Sequence, residues 1–342
     1  MNPESLSALR ALLHDEPSRE VWNKVCQCIQ GLEGDGGLLE VGLEYAQTHL
    51  ERWPEELRFG RADQDREVPW WPLVRYAVME KGTSLAAVLP WLSNVTKLNL
   101  GNHHIGPQGA AALADSPHLG NLRTLGLHDT RIGLDGLRAL VESPLMTRLT
   151  ELDLGFNGLG DEAVGVLAGS AHCANLTDLT LNNNGIGPKG LQALSDLEHL
   201  GNLAVLKLNT NPIGPDGARV IAQARHLGKL KELQLCFDEL GDEGVAALAQ
   251  SPHFGALTEL YLIDNEIGDD GAMALAQSPH FPELLELFLT VNQIGDQGAQ
   301  AIFDSSHYPN LRVLQLEYNP VDDDVFEGFE RGSRRPQLFV AR

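Results

Sequence analysis

The sequence predicts an α/β solenoid, a horseshoe-shaped stack of 27-residue units. Each unit supplies one strand to a parallel concave sheet and one helix to the convex side. Three observations predict it. An apolar triplet recurs at one spacing along most of the chain, a polar column follows each triplet, and paired glycines then open a helix-forming stretch. Self-similarity at a fixed period of a few tens of residues marks architectures in which each unit buries its apolar face against its neighbours.

The triplet starts at Val95, Leu122, Leu149, Leu176, Leu203, Leu230, Leu257, Leu284 and Leu311, with no insertion, and leucine stands three and five residues after each. The period-two part of this pattern is a short strand with one face in the core. The next column reads His103, Thr130, Asn157, Asn184, Asn211, Asp238, Asn265, Asn292 and Asn319. A side-chain amide there can donate to and accept from the peptide groups of the turn, so that stacked coils form a polar ladder. In the first eight units isoleucine or leucine follows, then glycine from Gly106 to Gly295, then a second glycine replaced only by Ala163 in the third; the ninth unit has lost both glycines, to Asp322 and Val325. Runs such as Gly271-Ala272-Met273-Ala274-Leu275-Ala276 complete each unit as a helix.

This pattern, with the Ile-Gly-Asp-x-Gly-Ala-x-Ala-Leu-Ala core at Ile267–Ala276, resembles the ribonuclease-inhibitor-like subfamily of leucine-rich repeats over residues 95 to about 325. The resemblance implies a leucine-rich repeat solenoid that binds proteins. Because ribonuclease inhibitors belong to that subfamily, it also implies an inhibitor or immunity-type protein for a basic enzyme as an alternative. Some GTPase-activating regulators are built from similar repeats, but Arg131 is the one arginine near the strand exits that could serve such a role. The scaffold itself hosts many unrelated binders.

Extending the frame outward gives a degenerate capping repeat at 68–94, with Pro69 and Pro72 in its strand, where they would protect an outer edge. Residues 1–67 do not repeat. Helical apolar spacing at 5–13, 21–29 and about 37–51 reads as an N-terminal helical cap, followed by a polar loop at Gly60–Glu67. At the other end the frame lands on Leu338, so Gln337–Val340 is expected to close the sheet within a C-terminal cap, 326–342.

Asp and Glu number 47 against 25 Lys and Arg, a net charge of −22. Such a surface repels phosphate backbones and anionic membranes, so neither nucleic acid nor membrane is an expected partner. The start of the chain has no basic and apolar segments of a signal peptide, and no apolar run is long enough to span a bilayer. Cys26, Cys28, Cys173 and Cys236 fit neither a zinc site nor a disulfide framework and read as reduced thiols in a cytoplasmic monomer.

No catalytic residue, metal ligand or cofactor is expected, and the chain reads as a non-enzyme. Histidine recurs at His118, His172, His199, His226, His253, His280 and His307. Repetition in nearly every unit points to a local structural task, the capping of helix-terminal carbonyls. Asp161, Asp242, Asp269 and Asp296 stand where helices start and read as N-caps. Neither a nucleophile elbow nor a phosphate-cradling loop occurs.

What remains is the set of positions between the core leucines, which the fold leaves free. Glu232, Glu259 and Glu286 fall on successive strands roughly 5 Å apart, where like charges repel. Phe237, Tyr261, Ile263, Asp264, Phe288, Val291 and Tyr318 share or flank those strands. A solvated sheet tolerates mixed residues, but aromatic groups in an acidic field suit a basic, partly apolar protein surface. These ten residues form the expected partner-binding face.

Overall fold

The computed structural model describes all of the chain except residues 1–2, 34–35, 62–67, 80–83, 194–197, 333–338 and 342. Among the described residues, twelve parallel strands form one open sheet in chain order. They are β1 (Phe59–Arg61), β2 (Tyr76–Val78), β3 (Lys97–Asn99), β4 (Thr124–Gly126), β5 (Glu151–Asp153), β6 (Asp178–Thr180), β7 (Val205–Lys207), β8 (Glu232–Gln234), β9 (Glu259–Tyr261), β10 (Glu286–Phe288), β11 (Val313–Gln315) and β12 (Phe339–Ala341). From β3 to β11 each strand pairs with the next in the 27-residue frame, so Leu98, Leu125 and their successors stack in register. These leucines and the two that flank them in each coil are buried in one continuous core. A strand-to-strand connection through a short helix allows every strand to run parallel.

From Thr130 to Asn292 the ladder column is buried, and its asparagines are fully bonded. Asn184 is typical: its amide nitrogen donates to the carbonyls of Leu154 at 3.0 Å and Leu181 at 3.1 Å. Its carbonyl accepts from the backbone of Asn157 at 3.1 Å and Leu159 at 3.3 Å. Asn211, Asn265 and Asn292 repeat the arrangement.

The aspartates after the first repeat glycine cap a helix, but not their own. Asp242 Oδ1 accepts from Gly268 at 2.7 Å and Gly271 at 2.9 Å, in the following coil. Asp269 does the same for Gly295 and Gly298, both at 2.8 Å, and Asp161 for Gly187 at 2.7 Å. The stapled glycines have extended φ of −103°, −98° and −92°. Where the preceding coil has Pro107, Leu134, Pro188 or Pro215 instead, Gly133, Gly160, Gly214 and Gly241 take φ between +56° and +68°. The residue in one coil therefore selects the turn of the next. The second glycine is required by the same approach, since a Cβ on Gly298 would lie 2.6 Å from Asp269 Oδ1. Asp269→Ala should lower unfolding free energy by about 1.5–3 kcal/mol, the worth of hydrogen bonds to a charged acceptor. Urea denaturation checks it, and a loss under about 0.5 kcal/mol would show that the staple is dispensable.

Serine, not histidine, holds most of the helix-terminal carbonyls. Ser170 Oγ donates to Val141 at 2.6 Å and Ser251 Oγ to Ala222 at 2.6 Å, each reaching the helix of the preceding coil. The same oxygens accept from the backbone of His172 and His253. Among the described histidines of that column, His172 alone has a ring bonded to such a carbonyl, Val141 at 3.2 Å.

The ends of the sheet depart from the frame. The strand next to β3 is not built around Pro69 and Pro72 but lies at Tyr76–Val78, a shorter step upstream, with Tyr76 opposite Lys97. Val74, Ala77 and Met79 fill the core columns there, and Pro72 falls in a short 3-10 turn at Trp71–Leu73. A further strand, β1, contains Gly60 and Arg61, and residues 62–67 of the expected loop lie outside the described ones. Three helices precede it: α1 (Pro3–Leu12), α2 (Arg19–Gln30) and α3 (Gly36–Leu50). The Trp22 indole of α2 donates to the Phe59 carbonyl at 3.0 Å, on the side of β1 turned away from β2. A covering helix, rather than proline, thus occupies this edge. Buried Arg58 donates from Nε to Leu73 at 2.8 Å and from its guanidinium to Leu50, at the carboxyl end of α3, where positive charge is favoured. At the far end β12 pairs Phe339 with Val313, one residue short of the frame, and residues 337–338 of the expected closing strand are outside the described set.

Candidate functional site

The parallel register brings the three glutamates together. Glu232 lies opposite Glu259, and Glu259 opposite Glu286, on β8, β9 and β10. One residue pair further along each strand, Tyr261 and Phe288 stack face to face, ring centroids 4.1 Å apart and planes 5° from parallel. The Tyr261 hydroxyl donates to Glu259 Oε2 at 2.9 Å. Burial, that hydrogen bond and the three surrounding glutamates all push the Tyr261 phenol above its ordinary range, so it stays a protonated donor.

The acids are not equivalent. Glu232 receives Lys207 Nζ at 2.9 Å and Gln234 Nε2 at 2.6 Å and is partly neutralised. Among the described residues, Glu286 forms no ion pair and Glu259 is met only by the neutral phenol, so unbalanced negative charge sits at β9 and β10. Lys207 was not among the expected site residues. Its signal was a lone lysine in a concave column, one strand before the first glutamate.

The ten expected residues divide between two surfaces. Glu232, Glu259, Glu286, Tyr261 and Phe288 lie on strands of the concave sheet, and Ile263 continues that face, half-buried, just past β9. Phe237, Asp264, Val291 and Tyr318 instead occupy a turn where the chain leaves the sheet, and form a rim along the carboxyl ends of the strands. Every residue of that column, from Asn102 to Tyr318, has φ between +48° and +65°. Glycine, asparagine and aspartate visit this left-handed region readily, whereas other residues incur about 1–2 kcal/mol. Asn102, Asp129, Asn183 and Asp264 follow that preference, while Phe156, Thr210, Phe237, Val291 and Tyr318 do not.

A shallow concavity of about 380 Å³ lies on the other half of the concave sheet, over β3 to β7. Lys97, bonded to Glu56 and 3.9 Å from Glu151, and Lys207 both line it, so its acids are partly matched. Cys236, at the exit of β8, is a free thiol pushed up to about 11 by burial and is unsuited to nucleophilic chemistry. Among the described residues no group of three histidine, cysteine or carboxylate side chains could hold a metal ion, and no helix is long and apolar enough to cross a membrane.

A family model described as Leucine Rich repeat matches residues 92–114, 146–168, 172–195, 257–276 and 284–303. No curated protein matches the chain. Similar solved structures include an internalin (inlF) from Listeria monocytogenes, 18% identical with a TM-score of 0.48, covering 78% of this chain and 72% of that one. A chain of the Rad7 and Elc1 complex in yeast is matched at 16% identity and a TM-score of 0.46, over 94% of this chain and 92% of that one. TLR13, from its complex with ssRNA13, is 21% identical with a TM-score of 0.49, over 79% of this chain and 39% of that one. The repeat matches, the in-register parallel sheet and the alternating helices together make this chain a leucine-rich repeat solenoid.

Proposed function

We propose that the protein is a non-enzymatic interaction scaffold that binds a basic protein segment on the concave face of β8 to β11. The observation that carries this reading is the in-register row Glu232, Glu259 and Glu286 beside the Tyr261–Phe288 stack. Like charges on adjacent strands destabilise the free protein, and a lysine- or arginine-rich partner relieves that repulsion. The stacked rings offer an apolar ridge, against which the aliphatic stem of a lysine or arginine can pack. A cytoplasmic, monomeric protein is the setting we propose, consistent with four free cysteines.

The test is titration of the full chain with a labelled arginine- and lysine-rich peptide. Affinity should fall at least about tenfold between low and physiological salt, as exposed charge pairs are screened. Glu259→Lys with Glu286→Lys should cost at least about tenfold in affinity. Asp270→Lys with Glu142→Lys, the same charge change on exposed helix positions, should cost far less. Equal losses from the two pairs would reduce the effect to net charge and overturn the concave site. The inhibitor alternative shares this surface, and an activity assay on a captured basic enzyme distinguishes inhibition from scaffolding.

A further inference from the structure

Among the described residues, seven large hydrophobic side chains are exposed, and four of them stand in a single column of the repeat. They are Phe156, Phe237, Val291 and Tyr318, exposed by 44%, 53%, 40% and 83%. All four have left-handed backbone, φ +56° to +61°, at a position where four of the other five coils carry asparagine or aspartate. Two independent features therefore run against the fold. An apolar side chain is left in water, and its backbone is held in a region that bulky residues rarely enter; for a β-branched residue such as Val291 it is an outlier. Side chains that burden the free protein in both ways make sense as a contact surface.

We infer that the rim at Phe237, Val291 and Tyr318 docks the apolar stripe of a basic amphipathic helix lying along the solenoid axis. The inference rests on the basic-partner reading above and specifies the partner's form. Charge complementarity fixes the flanks of that helix. Glu259 and Glu286 precede the rim on the concave strands, and Glu239 and Glu266, both exposed, follow it two residues after Phe237 and Asp264. Spacing favours a helix. Successive coils stand about 4.8 Å apart, close to one helical turn of about 5.4 Å, so each coil meets about one turn of the partner. Phe237, Val291 and Tyr318 lie zero, two and three coils along, so they meet positions near i, i+7 and i+10 of one helical face. Same-face residues of an extended strand recur at about 6.7 Å and do not keep step with the coils.

The test uses the full chain and three synthetic peptides of about 18 residues, long enough as a helix to cross the rim. One carries leucines at helical spacing among lysines, one has the same composition with leucine and lysine alternating, and one is polylysine. The helical peptide should bind at least about tenfold more tightly than the other two. The triple variant Phe237→Asn, Val291→Asn, Tyr318→Asn should lose that preference, keep its binding of polylysine, and melt at or above the wild-type temperature, since asparagine suits the left-handed turn. The inference is overturned if the alternating peptide binds as tightly as the helical one, if the triple variant retains the preference, or if it melts lower. Equal binding of all three peptides sinks the rim while leaving the basic-partner reading intact. Failure of polylysine to bind the wild type sinks both.

Discussion

Replacing Asp238 with asparagine is expected to stabilise the protein by several kcal/mol at pH 7–8 and to change little near pH 4. Asp238 stands in the asparagine ladder, fully buried. Its Oδ1 accepts from the Asn211 amide at 2.7 Å, as the ladder requires, but its Oδ2 has no hydrogen-bond partner. In neighbouring coils the corresponding atom is the amide nitrogen, which donates to carbonyls such as Leu208 and Leu235. A carboxylate cannot donate, whereas a carboxylic acid can. Burial accordingly pushes the Asp238 carboxyl up from 3.8 to about 8, against a smaller opposing effect of the backbone amides that bond it.

The sign follows from linkage. The folded state holds this proton more tightly than the unfolded chain, so the contribution of Asp238 is fully present below about pH 4. It is lost as pH rises from there through about 8, beyond which no more is lost. At about 1.36 kcal/mol per pH unit, the loss by pH 7 is on the order of 4 kcal/mol. Asparagine supplies the donor at every pH and removes the titration. Melting curves of the two proteins should therefore diverge steadily between pH 5 and 8. If Asp238→Asn is no more stable at pH 8, or if the wild-type pH dependence survives the substitution, the carboxyl is not protonated in the ladder.

The repeat was legible in the sequence wherever each coil solves the same packing problem with the same residue. Leu98 and its eight successors could not be mistaken, and the ladder asparagines follow from the need to pair peptide groups in a turn. Legibility failed where a residue serves a neighbour rather than its own coil. Asp269 looks like a cap for the helix it begins, but it bonds amides 26 and 29 residues ahead, and only the stacking of coils brings them together. It failed again at β2, where Ala77 and Met79 replace leucines in a shortened unit and the proline pair suggested the wrong segment.

The candidate site shows both outcomes. The 27-residue frame placed Glu259 beside Glu286 without help from the structure. It could not separate Phe237 and Val291 from the sheet, because that depends on backbone φ. A trace was nonetheless present: the same column carries Asn102, Asp129, Asn183 and Asp264, residues that mark a left-handed turn.

Asn184→Ala is expected to be among the most damaging single substitutions in the chain, costing at least about 4 kcal/mol. Four bonds to buried groups are lost at once, two given to the Leu154 and Leu181 carbonyls and two received from the Asn157 and Leu159 amides, along with a fifth to the Asn182 carbonyl. All four partners are buried backbone groups that alanine cannot reach, and each unsatisfied group costs about 1–3 kcal/mol. A solenoid does not share such a loss evenly. Coils contact only their neighbours, so the damage should localise to the third and fourth units and divide the array there. Hydrogen exchange should accelerate first at amides near 157 and 184, ahead of those near 265 and 292. Asn184→Asp should reproduce the condition of Asp238: tolerated in acid and increasingly destabilising as pH rises. A melting temperature of Asn184→Ala within about 2 °C of wild type would show that these peptide groups find other partners and that the ladder is not what joins one coil to the next.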